Sequence, residues 1–359
     1  MITIIILLIL ASVSITTLFG QDGIITKAQE AGRKTKEAAQ NEQEFLDFAQ
    51  DYLDNYSSGR IAEKMADAGI TGDPKSLSDV VDGVPIPKGF TASTKAGENT
   101  KAGGLVIIDN GTTKNEFVWV PVKDLVANGT RDGITYNEQF GIRLFERPYP
   151  YGNEWTDAVT GELVASVEDY GGFYMARYEA SYDDGKPASV KSTTATIDPW
   201  TPTNGRLWNW SYSSMTACEN MYASDASVVS HLPYGANWDS TLQWFKQTEF
   251  GNNNALIGSN SSSWGNYDDS SFTYGPSSTP KPSGVDTIIN TGSTDYTKVN
   301  NIYDMAGNLW ERTQETPEQF RGGGFKNSSN NTPVGIRDSD NWTNAGGVVI
   351  GFRVALYIK

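Results

Sequence analysis

Cysteine and histidine are almost missing from this chain of 359 residues, which has one of each, Cys218 and His231. A single cysteine excludes an intramolecular disulfide and a redox cysteine pair. Together the two counts exclude a Cys–His zinc cluster and a three-histidine metal centre. Basic residues are also few, since 28 Lys and Arg stand against 43 Asp and Glu, for a net charge of −15. Nucleic-acid binding, which depends on Lys and Arg neutralising phosphates, is therefore not expected.

Aromatic residues and glycine are abundant. Aromatics make up 11% of the chain, too many for a disordered protein, and 36 Gly and 15 Pro accompany them. This composition predicts a loop-rich fold with a well-filled core.

The chain opens with an uncharged segment, because the first charged residue is Asp22. About 20 helical residues span roughly 30 Å, the thickness of a bilayer's hydrocarbon core. A secretory signal carries Lys or Arg before its apolar run, whereas this run begins at Met1, as though a basic leader had been removed. Apolar residues then recur at three- and four-residue steps as far as Leu53. The pattern predicts one helix over residues 1–55, ended by residues 56–59.

An apolar half-helix followed by an amphipathic half resembles the N-terminal helix of mature type IV pilins. The resemblance implies a membrane-inserted precursor whose apolar half later packs against copies of itself in the core of a filament. Most of these pilins carry Glu at the fifth mature position, where this chain has Ile5. A plain membrane anchor with a helical stalk, or an uncleaved signal, are the alternatives. The residues assigned to the assembly surface are Met1, Ile5, Ile6, Leu8, Leu10 and Val13.

The rest of the chain has a different texture. After the assembly helix at residues 1–58 we expect a linker at 59–83 and a globular domain at 84–359. Within that domain, residues 105–108 and 117–122 predict two strands, and Asp109-Asn110-Gly111 between them predicts a turn. Residues 173–177 predict another strand, residues 214–222 and 240–245 predict helices, and residues 252–283 predict an ordered loop that packs on its own aromatics.

Three motifs in the globular region point to a second family. They are His231-Leu232-Pro233 with Trp238 behind it, the stretch 301–311 that contains Gly307-Asn308-Leu309-Trp310-Glu311, and Arg321-Gly322-Gly323-Gly324-Phe325 paired with Gly351-Phe352-Arg353. In order and spacing they resemble the R-L-P, G-N-V-W-E and R-G-G-S-F/G-F-R regions of formylglycine-generating-enzyme-like domains. The resemblance covers residues 84–359 and implies an α+β, C-type-lectin-like fold. We expect Leu232, Trp238, Trp310, Phe325 and Phe352 in its core, and Arg321 and Arg353 as structural arginines.

The residue types argue against the chemistry of this family's enzymes. Those that oxidise a substrate cysteine use a copper-binding cysteine pair, and this chain has no cysteine after Cys218. Iron enzymes with a related domain use histidine ligands, and His231 is alone. We therefore expect no enzyme activity, a buried apolar thiol at Cys218 and a structural, partly exposed His231.

The same resemblance implies a calcium site in the 301–311 stretch. Oxygen ligands from one short loop suit Ca²⁺, and the carry-over gives the side chains of Asp304 and Glu311 with the carbonyls of Gly307 and Leu309. A structural turn without metal is the alternative.

A polar loop at residues 327–347 is the predicted binding face. Asp340, Asn341, Trp342 and Asn344 place an aromatic ring among short polar groups, which suits carbohydrate or protein surfaces on other cells. The alternative is an ordinary loop with Trp342 packed inward. The whole sequence is thus interpreted as a subunit of an extracellular filament that displays a non-catalytic adhesin-like domain. A membrane-anchored lectin-like receptor is the second interpretation, and an enzyme the third.

Overall fold

The computed structural model describes residues 23–122, 130–131, 134–135, 156–157, 161–183, 186–192, 213–316, 319–338 and 350–359. Contacts divide the chain into two compact units, Met1–Arg60 and Ile61–Lys359. Both helices and sheets are present, so the α+β class is confirmed. The helices are α1 (Ile24–Ala68), α2 (Gly161–Tyr170), α3 (Ser213–Met221), α4 (Gly235–Thr248) and α5 (Ala255–Gly258), with 3₁₀ turns at Pro74–Ser76 and Asp295–Thr297.

The strands are short and distributed over several small sheets. In chain order they are β1 (Leu77–Val81), β2 (Val84–Pro87), β3 (Phe90–Ala92), β4 (Val106–Asp109), β5 (Glu116–Pro121), β6 (Thr130–Arg131), β7 (Ile134–Thr135), β8 (Thr156–Asp157), β9 (Gly172–Ala176), β10 (Ser181–Asp183), β11 (Lys186–Ala188), β12 (Val228–His231), β13 (Phe272–Tyr274), β14 (Thr279–Lys281), β15 (Lys298–Val299), β16 (Ile302–Tyr303), β17 (Trp310–Thr313), β18 (Glu315–Thr316), β19 (Gln319–Arg321), β20 (Ile350–Gly351) and β21 (Ala355–Ile358). Such short strands need packing against one another to be stable.

Helix α1 confirms the predicted helix from Ile24 onward, but its predicted end is wrong, because it continues to Ala68. It stops where Gly69 adopts a φ of 69°, and the Ile70 N–H returns to the Met65 carbonyl at 2.8 Å. This is the hydrogen bond of a Schellman cap. Ile61 and Met65 are buried in the core of the second unit, which favours continued helix through the Ser and Gly at positions 57–59.

A six-stranded antiparallel sheet, in the order β12-β21-β9-β5-β4-β3, is the frame of the second unit. The predicted hairpin is confirmed as β4 and β5, with Val106 opposite Val118. Both faces of the sheet are buried. Val118 and Val120 of β5 join the cluster that contains α4, whereas Phe117 and Trp119 join the cluster that contains Ile61, Met65 and α3.

Several predictions about buried groups are confirmed. The motif residues Leu232, Trp238, Trp310, Phe325 and Phe352 are all buried, and so is the thiol of Cys218. The 252–283 stretch is ordered as predicted, with α5 and the β13–β14 hairpin inside it and Trp264, Tyr267 and Phe272 buried.

The end of the chain forms two short strands, β20 and β21. β20 pairs in parallel with β17, while β21 enters the large sheet between β9 and β12. The break lies at residues 352–354, where the Arg353 side chain is fully buried. Its guanidinium reaches Glu311, which explains why the chain leaves one sheet before it joins the next.

Candidate functional site

A buried charge cluster surrounds Arg353, at the place where the sequence predicts calcium ligands. The Arg353 Nε donates to Glu311 Oε2 at 2.6 Å, and its Nη2 contacts the other Glu311 oxygen. Two further bonds from the guanidinium reach the carbonyls of Ala176, at 3.2 Å, and Tyr303, at 3.1 Å. Arg353 is therefore a structural arginine, as predicted, and Glu311 is its bidentate partner.

Asp304, the second predicted carboxylate ligand, is also fully buried. Its Oδ1 accepts from the Thr297 hydroxyl at 2.6 Å. Its Oδ2 accepts from the Thr291 hydroxyl at 2.8 Å and from the Gly292 N–H at 3.0 Å. Three protein donors thus satisfy this carboxylate, and they hold residues 291–297 against the loop.

Glu179 is a third carboxylate of the cluster and was missed by sequence reasoning. It lies just beyond β9, is fully buried, and accepts from Asn308 Nδ2 at 2.5 Å and from the Leu309 N–H at 3.1 Å. No local motif marks it, because its partners lie about 130 residues further along the chain. Only the tertiary fold brings this carboxylate to the 301–311 loop.

Electrostatics within the cluster disfavour three simultaneous negative charges. Burial raises the pKa of Glu179 well above the ordinary value of a glutamate, and the charges of Asp304 and Glu311 raise it further. Burial also raises the pKa of Asp304, against the hydrogen bonds from Thr297 and Thr291. For Glu311, burial raises the pKa while Arg353 opposes the shift. Glu179 is therefore the carboxyl that we expect to keep its proton to the highest pH.

Backbone strain in the loop is held by close packing. Asp304 and Asn308 have φ values of 57° and 59°, and Gly307 has 74°. A Cβ at Gly307 would lie 2.1 Å from the Asn266 carbonyl oxygen, so only glycine fits there. The Asn308 amide links both sides, because its Oδ1 accepts from Asn266 and from the Ile289 N–H.

The predicted calcium ligands Asp304, Gly307, Leu309 and Glu311 are thus close in the chain, but their carboxylates face protein donors. Calcium takes six to eight oxygen ligands, and Arg353 occupies one side of Glu311. In the part of the chain that the structure describes, no group of three or more His, Cys, Asp or Glu side chains is arranged to hold a metal ion. Calcium binding at this loop remains a prediction.

Asp239 on α4 makes a second buried contact between motifs. It pairs with Arg321 at 2.5 Å and also with Arg337. The predicted structural role of Arg321 is confirmed, with its side chain fully buried. His231 is partly exposed, as predicted, with its ring 5.8 Å from the Tyr357 ring.

A cleft of about 350 Å³ opens on the second unit, beside the end of α4. Phe250 and Trp264 form its aromatic wall, with ring centroids 5.0 Å apart. Glu249 and Lys298 bring one charge of each sign to the lining. Asn300 completes it: this buried residue donates to Thr248 at 2.7 Å, while its Oδ1 has no hydrogen-bond partner. No sequence motif marks this cleft, because its residues come from four separate segments of the chain.

The first unit presents an exposed apolar face on α1. Phe45, Phe48, Tyr52 and Tyr56 recur every three or four residues and are therefore on one side of the helix. Between 61% and 69% of each of these side chains is exposed. Leu46 and Leu53 flank them, also more than half exposed. These are large apolar groups that the described residues of the chain leave uncovered.

Two sets of predicted residues lie outside the described residues. They are the assembly residues Met1, Ile5, Ile6, Leu8, Leu10 and Val13 and the ligand residues Asp340, Asn341, Trp342 and Asn344. Of the helices that the structure does describe, none has the length and apolar character needed to cross a membrane. Both assignments stay predictions.

Comparison with known proteins does not add a family to these observations. No protein-family model matches the chain, and no curated protein matches it either. The function is therefore inferred from the chain's own surfaces and contacts.

Proposed function

We propose that this chain is a structural subunit of an extracellular, type IV pilus-like filament. The observation that supports the proposal is the exposed apolar face of α1, where Phe45 is 68% and Tyr52 is 64% exposed. Contiguous apolar surface is unfavourable in water and marks interaction sites. A second copy of the helix presents the same apolar face, so two copies can cover each other's exposed apolar residues.

The N-terminal segment supports self-association in a second way. Its 21 uncharged residues must meet either lipid or copies of themselves. Lipid alone, as in a membrane-anchored receptor, accounts for that segment but not for Phe45 and Tyr52. Phe45 lies 21 residues, or about 30 Å, along α1 from Ile24, which is too far to share the same lipid layer.

Charge in the apolar segment tests the assembly. We expect Ile6→Lys, and separately Leu8→Lys, to abolish filaments, because an unpaired charge in a dry core is strongly unfavourable. The measurement is immunogold electron microscopy of cell-surface filaments with antibody against the globular unit. Normal filaments from either variant would contradict the proposal.

The second part of the proposal is that the globular unit is a non-catalytic ligand-binding domain of C-type-lectin-like, formylglycine-generating-enzyme-like type. Its long ordered 252–283 stretch and the cleft lined by Phe250 and Trp264 support this interpretation. An aromatic wall beside carboxylate and amide groups suits carbohydrate or a protein surface.

A glycan array separates two locations for the ligand. The loop variant Asp340→Ala/Trp342→Ala tests the predicted loop, and Glu249→Gln/Lys298→Met tests the cleft. We expect one of these pairs to reduce glycan binding at least about tenfold, a loss of roughly 1.4 kcal/mol. Unchanged binding in both variants, with normal assembly, would contradict ligand binding at either place.

Calcium binding by Asp304 and Glu311 is tested by chelation. If calcium binds, removing it should lower the melting temperature, since a site held at 100 times its Kd contributes about 2.7 kcal/mol. Asp304→Asn should abolish the response to chelator. An unchanged melting curve in chelator would reject the site and leave the Arg353 guanidinium as the cation of the cluster.

A further inference from the structure

Positive and negative charges occupy different segments of α1, and this arrangement favours one way of packing two copies over another. Residues 27–37 carry four cations, Lys27, Arg33, Lys34 and Lys36, against two carboxylates, for a net charge of +2. Residues 42–54 carry five carboxylates and no cation, for a net charge of −5. Two copies packed in register would therefore place the acidic segments side by side, where like charges repel.

Contacts within α1 sharpen the contrast. In the basic segment both carboxylates pair with cations of the same helix, Glu37 with Arg33 at 2.5 Å and Glu30 with Lys34 at 3.1 Å. In the acidic segment, Asp47 and Asp54 accept hydrogen bonds from the neutral amides of Gln43 and Gln50. These bonds leave the negative charge of the segment in place.

Side-chain size changes at the same point along the helix. The segment with net positive charge carries small apolar residues, Ala28, Ala31, Ala38 and Ala39. The negative segment carries the exposed Phe45, Phe48 and Tyr52. Large side chains pack best where the facing helix offers small ones. Side-chain size and charge therefore both favour packing in which one helix is displaced along the other, so that the basic segment of one copy faces the acidic segment of the next.

We propose that α1 helices of neighbouring copies pack in parallel with a displacement of about 18 residues, which is five helical turns or about 27 Å. This arrangement rests on the proposed filament function and specifies its contact. The basic, alanine-containing segment of one copy then faces the acidic, aromatic segment of the next, and Ala31 comes level with Ala49 on the aromatic side of the helix. Because each copy keeps one segment of each kind open, the contact repeats into a filament rather than closing at two.

Cysteine cross-linking in the full-length protein tests the displacement. Ala31→Cys and Ala49→Cys are made in separate copies, mixed, assembled and oxidised; the native Cys218 is buried and does not compete. The predicted product is a disulfide between position 31 of one copy and position 49 of another. A 49–49 product indicates packing in register, and a product from Ala28→Cys with Tyr56→Cys indicates antiparallel packing. Either result would overturn the displacement while leaving the filament function in place.

Charge reversal gives an independent test. Lys27→Glu should lower the amount of sedimenting polymer about two- to fivefold, because Lys27 lies on the aromatic side of α1 and comes within one turn of Glu42 of the next copy, so that an attraction becomes a repulsion. The double variant Lys27→Glu/Glu42→Lys should restore it, since the swapped charges again lie close together. Failure of the double variant to recover would overturn the arrangement. Absence of polymer in the unaltered protein would overturn both this arrangement and the proposed function.

Discussion

The buried carboxyls around Arg353 make the free energy of unfolding of the globular unit depend on pH. Glu179, Asp304 and Glu311 share a buried site with one guanidinium, and burial raises the pKa of all three carboxyls. Glu179 has amide donors from Asn308 and Leu309, which favour its charged form less than a guanidinium does. Glu179 therefore keeps its proton to a higher pH in the native state than it does in the unfolded chain.

The sign of the pH dependence follows from this proton. Near pH 4 and below, both states hold it; as pH rises past the unfolded pKa, only the unfolded chain releases it, so the free energy of unfolding falls. The fall is at most about 1.4 kcal/mol per pH unit for one proton, and it stops above the native pKa. Urea unfolding of residues 61–359 from pH 4 to 8 measures the slope. Glu179→Gln should reduce it by about one proton, and an unchanged slope would contradict the assignment.

Some of the buried residues could be predicted from the sequence and others could not. Arg321, Arg353 and Cys218 could be predicted, since motif position and a helical apolar face carry the information. Glu179 could not, because a lone glutamate after a strand has no local signature. The role of Asn300 in the cleft could not be predicted for the same reason, because Phe250 lies 50 residues away in the sequence and the two residues line one cleft only in the folded chain.

At the scale of elements, the 301–311 loop depends on one glycine. Gly307 has a φ of 74°, and a Cβ there would lie 2.1 Å from the Asn266 carbonyl oxygen. The backbone atoms of Asn266 cannot retreat easily, because its N–H donates to the Ala306 carbonyl and its own carbonyl accepts from Asn308. The conformation of the loop therefore depends on the close backbone contact between Gly307 and Asn266, which leaves no room for a side chain at position 307.

Gly307→Ala should lower the free energy of unfolding by about 3 kcal/mol, through the clash and the unfavourable φ together. Gly97→Ala is the matched control. Gly97 has a similar φ of 81°, but its Cβ would meet nothing within 4 Å, so we expect only the conformational cost of about 1 kcal/mol. Thermal unfolding measures both variants. Equal losses would show that the packing against Asn266 carries no weight.

Regular elements were predicted well where a periodic pattern decides them. Alternation gave β4 and β5, and three- and four-residue spacing gave α3, α4 and α1. The end of α1 was misplaced because residues 57–59 read locally as a stop, while burial of Ile61 and Met65 continues the helix to Ala68. The closing residues form two strands, β20 and β21, in different sheets, with the buried Arg353 between them.

At the scale of the whole molecule, the chain combines one unit that leaves apolar surface exposed with another that buries its own. Within the unit Ile61–Lys359, both faces of the six-stranded sheet are buried, one in each of two hydrophobic clusters. Helix α1 instead exposes Phe45, Phe48 and Tyr52 to solvent. This contrast is the basis for assigning assembly to the first unit and ligand binding to the second.

The most direct test of assembly through α1 is electron microscopy of the full-length protein after detergent removal. We expect filaments from the unaltered protein and none from Phe45→Glu/Tyr52→Glu, because two carboxylates in a helix contact would be buried without partners. Gln43→Glu is the control: it adds a negative charge about 200° around the helix from Phe45 and should still give filaments. Filaments of normal length from Phe45→Glu/Tyr52→Glu would contradict assembly through α1.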